Sequence, residues 1–153
     1  MKMLHQKPKQ QGFTVIELLI VVLVIGILAT LVIVTYSGIQ VKNRDSKRRN
    51  DMEAIAMQLE VYNASHGAYP ALSELSNGTW VQKNLKNLNS DHLKAPGSKN
   101  SDSISSILSA TSYQYVPGPA DCTTAKATCT TFTLTAKPES STAQPIVVKN
   151  VSN

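Results

Sequence analysis

The sequence predicts an α+β protein: one long N-terminal helix, about residues 13–65, whose second half packs against a small C-terminal antiparallel sheet. Three observations carry this expectation. An apolar run extends from Val15 to Val34, 20 residues broken only by Glu17, Gly26 and Thr30. The 7 prolines are Pro8, Pro70, Pro96, Pro117, Pro119, Pro138 and Pro145, so none interrupts a helix between residues 9 and 69. The last third of the chain alternates apolar and polar types with a period of two, as half-buried strands do.

Composition narrows the class. The chain has 153 residues, 42% hydrophobic and 16% charged, where about 25% charged is usual for a soluble domain. Its formal net charge is +5, but Lys2, Lys7 and Lys9 lie in the first dozen residues, and 12 basic against 10 acidic residues remain beyond them. Collagen, disorder throughout, a disulfide-dense miniprotein and a polytopic membrane protein are excluded. A single-span or processed chain carrying one small polar domain is what the numbers allow.

As a helix the 20-residue run spans ~30 Å, the hydrocarbon thickness of a bilayer. A secretory signal would have a shorter apolar core, and Ser37-Gly38-Ile39 is a poor cleavage site. Glu17 stands inside the run. A charged carboxylate there costs about 2.5–3.5 kcal/mol at the bilayer centre and less near an interface, so it requires a partner or a function.

The flanks give the run its meaning. Gly12 directly precedes Phe13-Thr14-Val15-Ile16-Glu17, and Lys7-Pro8-Lys9 lies just upstream. This pattern resembles the N-terminus of type IV prepilins and of the related pseudopilins of secretion and DNA-uptake machines. Gly12, Phe13, Thr14 and Glu17 match the family pattern position by position, and Leu18 to Val34 supply its apolar helix. The likeness is close from Lys7 to Tyr36 and looser through Tyr62-Asn63 and His66-Gly67-Ala68-Tyr69-Pro70.

The resemblance implies a basic leader, 1–12, removed by a prepilin peptidase between Gly12 and Phe13, with N-methylation of the new Phe13 amine. Glycine suits such a cut, having no Cβ to block an extended backbone at the membrane edge. The resemblance further implies that Glu17 pairs with the amine of a neighbouring subunit during assembly. The expected organisation is a transmembrane and assembly helix over 13–36, its amphipathic continuation over 37–66 and a globular head over 67–153. Expected partners are further copies of the chain in a helical filament, the inner-membrane assembly platform with its ATPase, and membrane lipid before assembly. The expected location is the cytoplasmic membrane, leader inside and head outside, and then a cell-surface filament. A major pilin of a type IV pilus is the first reading, a pseudopilin of a type II secretion or DNA-uptake machine its alternative. One departure is the absence of the mid-span proline of many pilins; only Gly26 weakens the helix there.

Beyond the span, Met52, Ile55, Leu59 and Tyr62 recur at helical spacing and form one apolar stripe, with Asp51, Glu53, Gln58 and Glu60 expected on the opposite side. Lys42, Arg44, Lys47, Arg48 and Arg49 stand against the single acid Asp45. A solvated face or lipid-headgroup contact is the first reading of this cluster, then subunit salt bridges or contact with DNA phosphates. Counting charges at the two ends of the span favours a cytoplasmic C-terminus. The resemblance and the cysteines point the other way.

Residues 71–112 are read only coarsely. A helical turn is expected at Ala71–Ser76, a turn at Asn77-Gly78, weak helical periodicity from Trp80 to Leu88 with Trp80 as a core anchor, and a polar loop over 95–103. Strands are expected near 113–116, 130–136 and 145–149, the first ended by Pro117-Gly118-Pro119. Cys122 and Cys129 fall in one connection and allow one intramolecular disulfide. Closing so short a loop contributes somewhat under ~3 kcal/mol, and an oxidising compartment permits it. Two reduced thiols are the alternative; a metal site is disfavoured, because neither His66 nor His92 is near the pair in sequence. No nucleophile elbow, phosphate loop or zinc spacing occurs, so neither an enzyme nor a cofactor is expected. Against the filament subunit stands one reading of another class: an unprocessed single-span anchor presenting a small binding domain.

Overall fold

A computed structural model describes residues 12–98, 104–126, 128–140 and 142–150. The leader residues upstream of Gly12, and with them Lys7-Pro8-Lys9, lie outside the described residues. The chain divides into two compact units between Ile39 and Gln40. The first holds the N-terminal part of helix α1 (Val15–His66); the second holds the rest of that helix and the head.

In the first unit every large apolar side chain described from Phe13 to Ile39 is exposed, from 46% at Val24 to 86% at Phe13. The helix satisfies its own polar groups: Thr30 Oγ1 donates to Ile27 O at 2.7 Å and Thr35 Oγ1 to Leu31 O at 2.9 Å. Within hydrocarbon no other partner is at hand for such hydroxyls.

In the second unit the expected stripe is the core. Met52, Ile55, Leu59 and Tyr62 are buried against Leu75, Val81, Leu85 and the sheet. Each such side chain contributes roughly 1.5–3 kcal/mol by leaving water. Helix α1 ends at Gly67, whose φ of +74° suits a residue without Cβ, and Gly67 N–H donates to Asn63 O at 2.7 Å. Short helices α2 (Leu72–Leu75) and α3 (Gly78–Asn84) follow, then a 3₁₀ turn, Ser90–Leu93. Asn77-Gly78 opens a helix rather than making a free turn, because Asn77 Oδ1 accepts from the N–H groups of Thr79 and Trp80. Trp80 is half-buried at the edge of the core, tilted against Tyr62.

The sheet is mixed, not purely antiparallel. Its order is β1 (Ile104–Ser105), β2 (Tyr113–Gly118), β3 (Thr131–Ala136), β4 (Ile146–Lys149). Strands β2, β3 and β4 pair antiparallel, with Tyr115 opposite Leu134 and Leu134 opposite Val148, whereas β1 pairs parallel to β2. A two-residue strand is too short to show a period in sequence. Strand β2 also runs two residues beyond the expected stop, because Pro117 and Gly118 pair with Phe132 and Thr131. Tyr113, Tyr115, Phe132, Leu134 and Ala136 face inward and are buried, the period-two pattern expected of one covered face.

The expected charged face of α1 needs correction in two places. Asp51 is 1% exposed and Arg48 3%. Asp51 accepts hydrogen bonds from Lys47 Nζ (2.7 Å), His92 Nδ1 (2.9 Å) and Tyr113 OH (2.6 Å). Arg48 donates to Asp45 Oδ1 (2.9 Å), Ala110 O (3.2 Å) and Pro96 O (3.4 Å). Arg44 forks onto Glu139, with nitrogen–oxygen distances of 2.5 and 2.7 Å. Three of the five basic residues therefore hold loops of the head to α1, where a solvated face was expected. Buried ions persist only when paired, which is why the buried Arg48 and Asp51 each meet an opposite charge.

Candidate functional site

The predicted site residues fall at the start of α1. Gly12 is exposed, and a Cβ placed on it would meet open space. Phe13 is 86% exposed. Helix α1 begins at Val15, so Thr14 is its N-cap and Glu17 its third residue. Glu17 N–H donates to Thr14 Oγ1 at 3.3 Å, and Glu17 Oε2 accepts from Thr14 N–H at 2.8 Å and from Thr14 Oγ1 at 2.7 Å. This reciprocal pair is a capping box, which satisfies orphan donors at a helix start. The carboxylate also lies at the positive end of the helix dipole.

The box was legible in the spacing Thr14-x-x-Glu17, though the sequence reading took Thr14 only as a family match and Glu17 as a family match and an intramembrane carboxylate in need of a partner. Its consequence is physical. Within the chain Glu17 has hydrogen-bond partners at the helix start, which hold it in a defined place. Its carboxylate still carries a charge that the neutral Thr14 cannot balance.

The disulfide is present. Cys122 and Cys129 are joined, and Cys129 is fully buried. Cys129 O accepts from Tyr69 N–H at 2.8 Å, and Thr124 Oγ1 within the loop accepts from Ala71 N–H at 2.7 Å. Thr124 Oγ1 also bonds Glu74 Oε2, and Tyr115 OH donates to Pro70 O at 2.7 Å. The loop therefore grips the segment that leaves α1. Burial pushes the Tyr115 phenol well above its ordinary range, so it serves as a neutral donor.

An apolar helix of membrane length that opens on Gly12-Phe13-Thr14 and Glu17, followed by a small α+β head, resembles the type IV pilins and pseudopilins. Comparison with known proteins agrees. The prokaryotic N-terminal methylation motif matches residues 7–33. Type II secretion system core protein G of Dickeya chrysanthemi is 33% identical over 75 residues, 49% of this chain and 48% of that protein. The protein of the same name from Pseudomonas aeruginosa is 35% identical over 69 residues, 45% of this chain and 49% of that protein. That from Escherichia coli K12 is 33% identical over 66 residues, 43% and 46% of the two chains. The chain spans about half the length of the curated relatives it matches. No solved structure matches the chain significantly. The N-terminal motif, the relatives and the fold all resemble those of the type IV pilins and pseudopilins.

Proposed function

We propose that the chain is a structural filament subunit of the pseudopilin kind, working in a machine of the type II secretion class. It is inserted as a prepilin, cut by a prepilin peptidase between Gly12 and Phe13, methylated at the Phe13 amine, and drawn from the membrane by an assembly platform and its ATPase. Polymerisation then packs the apolar helices of many copies together. The observation that carries this reading is the bare helix: its described large apolar side chains from Phe13 to Ile39 are 46–86% exposed within one chain, while the head has a buried core of its own. So much uncovered apolar surface calls for lipid before assembly and for other copies afterwards.

The sequence alone put a type IV pilus major pilin first. The matched relatives are named for type II secretion, which favours the pseudopilin alternative and a filament within the envelope over one at the cell surface.

Pairing of the Phe13 amine with Glu17 of a neighbour belongs to the same reading. It neutralises both charges as the helices leave lipid, which the capping box by itself does not do. Electron microscopy of filaments, with intact-mass analysis of their subunit, tests the proposal. The expected subunit begins at a methylated Phe13; a subunit still beginning at Met1 in its membrane, with no filament, returns the chain to the class of simple anchors.

A further inference from the structure

The end of the head where α1 enters it carries basic charge that the chain does not use. Arg44 is paired with Glu139, Arg48 with Asp45, Lys47 with Asp51 and Lys94 with Asp91. Lys42 and Lys137 are exposed and make no ion pair among the described residues. Arg49 and Glu53 stand on the next turns of α1 and are of opposite sign, so they add no net charge. What is left over at this end is positive.

An apolar side chain stands out beside these cations. The loop between β1 and β2, residues 106–112, meets α1 where Ala110 O accepts from Arg48. Lys137 lies two residues before Glu139, whose N–H donates to Asp45 on the preceding turn of α1. The loop presents Ile107, at 73% the most exposed large apolar side chain described in the head. Side chains close off its backbone. Ile107 N–H donates to Ser105 Oγ at 3.1 Å, and Ile107 O accepts from Ser105 Oγ at 2.7 Å and Ser112 Oγ at 3.2 Å. With both polar groups partnered, the residue can enter a poorly hydrated layer without stranding a donor or an acceptor.

Ten residues of chain join Val34, the last of the apolar run, to Arg44. A bilayer holding that run is thus within a short reach of this end of the head. We infer that this end docks on the surface of that bilayer, Ile107 entering among the lipids and Lys42 and Lys137 meeting anionic phospholipid headgroups. This rests on the reading of Val15–Val34 as a membrane span, to which it adds a second, reversible attachment of the unassembled subunit. Each cation near an anionic surface favours docking by a factor of about five, and salt weakens the attraction. A second copy is the poorer occupant, because a two-fold contact through this end would bring cation towards cation.

The full chain reconstituted in phosphatidylcholine vesicles, with and without phosphatidylglycerol, tests the docking. A fluorophore is placed on Ser106→Cys and, as a distant reference, on Val61→Cys; both positions are exposed. Val61 lies about 20 Å beyond Arg48 along α1. Quenching by a doxyl-labelled phospholipid reports contact with lipid. With phosphatidylglycerol present, position 106 should be quenched and position 61 should not. Lys42→Gln with Lys137→Gln should lower the ratio of docked to free heads about twentyfold. Ile107→Ser should lower it about tenfold. An intact Cys122–Cys129 bond confirms the fold of each variant. Equal quenching at the two positions overturns the docking and leaves the span intact. So does quenching at 106 that ignores phosphatidylglycerol or survives the two glutamines. Self-quenching at 106 that grows with the number of chains per vesicle gives this face to a second copy and overturns the docking as well. A chain that alkaline carbonate strips from the vesicles overturns the span and the docking together.

Discussion

Tyr113, the first residue of β2, donates its hydroxyl to Asp51 Oδ2 at 2.6 Å, and both side chains are buried. The same carboxylate holds Lys47 from the preceding turn of α1 and His92 from the 3₁₀ turn. One acid on the helix thus fixes the start of a strand and the loop before it. Because a carboxylate oxygen accepts, His92 Nδ1 is the donor of this bond. Burial, with the Asp51 hydrogen bond second, drives the Tyr113 phenol far above its ordinary range.

Removing Asp51 is therefore costly. Asp51→Ala leaves the Tyr113 hydroxyl, the Lys47 ammonium and the His92 N–H without their acceptor, and should destabilise the head by about 3–5 kcal/mol. Tyr113→Phe removes one donor and leaves the others in place, and should cost about 1–2 kcal/mol. Denaturant unfolding of the full chain in detergent, followed by near-ultraviolet circular dichroism, measures both. Equal losses in the two variants would show that Asp51 does not act as the shared acceptor.

Acid should loosen a second clasp. Burial pushes the Asp45 carboxyl up, but the N–H groups of Glu139 and Ser140 outweigh it with the help of Arg48 and hold it below the usual range. Glu139 is also lowered, first by its hydrogen bond from Arg44. A carboxyl whose folded pKa is depressed contributes stability above its unfolded value of about 4, and that stability is lost as pH falls through the lower folded value. Amide exchange at Glu139 and Ser140 should accelerate over that acid window, and Asp45→Asn should flatten the dependence. Parallel acid profiles for wild type and variant would refute the assignment.

The disulfide should matter locally. Replacing Cys122 and Cys129 by Ser removes a loop closure contributing under ~3 kcal/mol and frees the loop that receives Tyr69 and Ala71. Head stability should fall while membrane insertion is unchanged. Peptide mapping without reductant should recover the Cys122–Cys129 pair and no intermolecular dimer. Free thiols in assembled protein would contradict the pairing.

How much of this was legible depended on the range of the signal. The α1 stripe, the β2–β3–β4 strands and the cysteine pair are visible because periodicity and local spacing report them directly. Asp51 and Arg48 are not, because a helical charge reads as solvated until its partners are known. Those partners, Tyr113, His92, Ala110 and Pro96, lie 41–62 residues away. Strand β1 is too short to carry a period. The Thr14–Glu17 box was present in the spacing and simply overshadowed by the family pattern around it.

That box makes a sharp test of Glu17 possible, because capping and pairing ask different things of its side chain. Glu17→Ala loses both and should still insert, since the span becomes more apolar, and still fold, since the head has its own core. It should fail to enter the filament, because an incoming Phe13 amine left unpaired in a poorly hydrated core costs several kcal/mol. Thr14→Val keeps the charge, loses the hydroxyl and weakens the helix start by about 0.5–2 kcal/mol, so assembly should fall only modestly. Glu17→Asp keeps the charge with a shorter reach and should assemble in part. Glu17→Gln decides between the roles: a glutamine at this position still closes a capping box but carries no charge. If the charge is what a neighbour's amine requires, Gln behaves like Ala in the ratio of filament protein to membrane-retained subunit, with cleavage after Gly12 unchanged. If Gln assembles like wild type while Ala fails, then capping is the whole role of Glu17 and the intermolecular pairing is wrong.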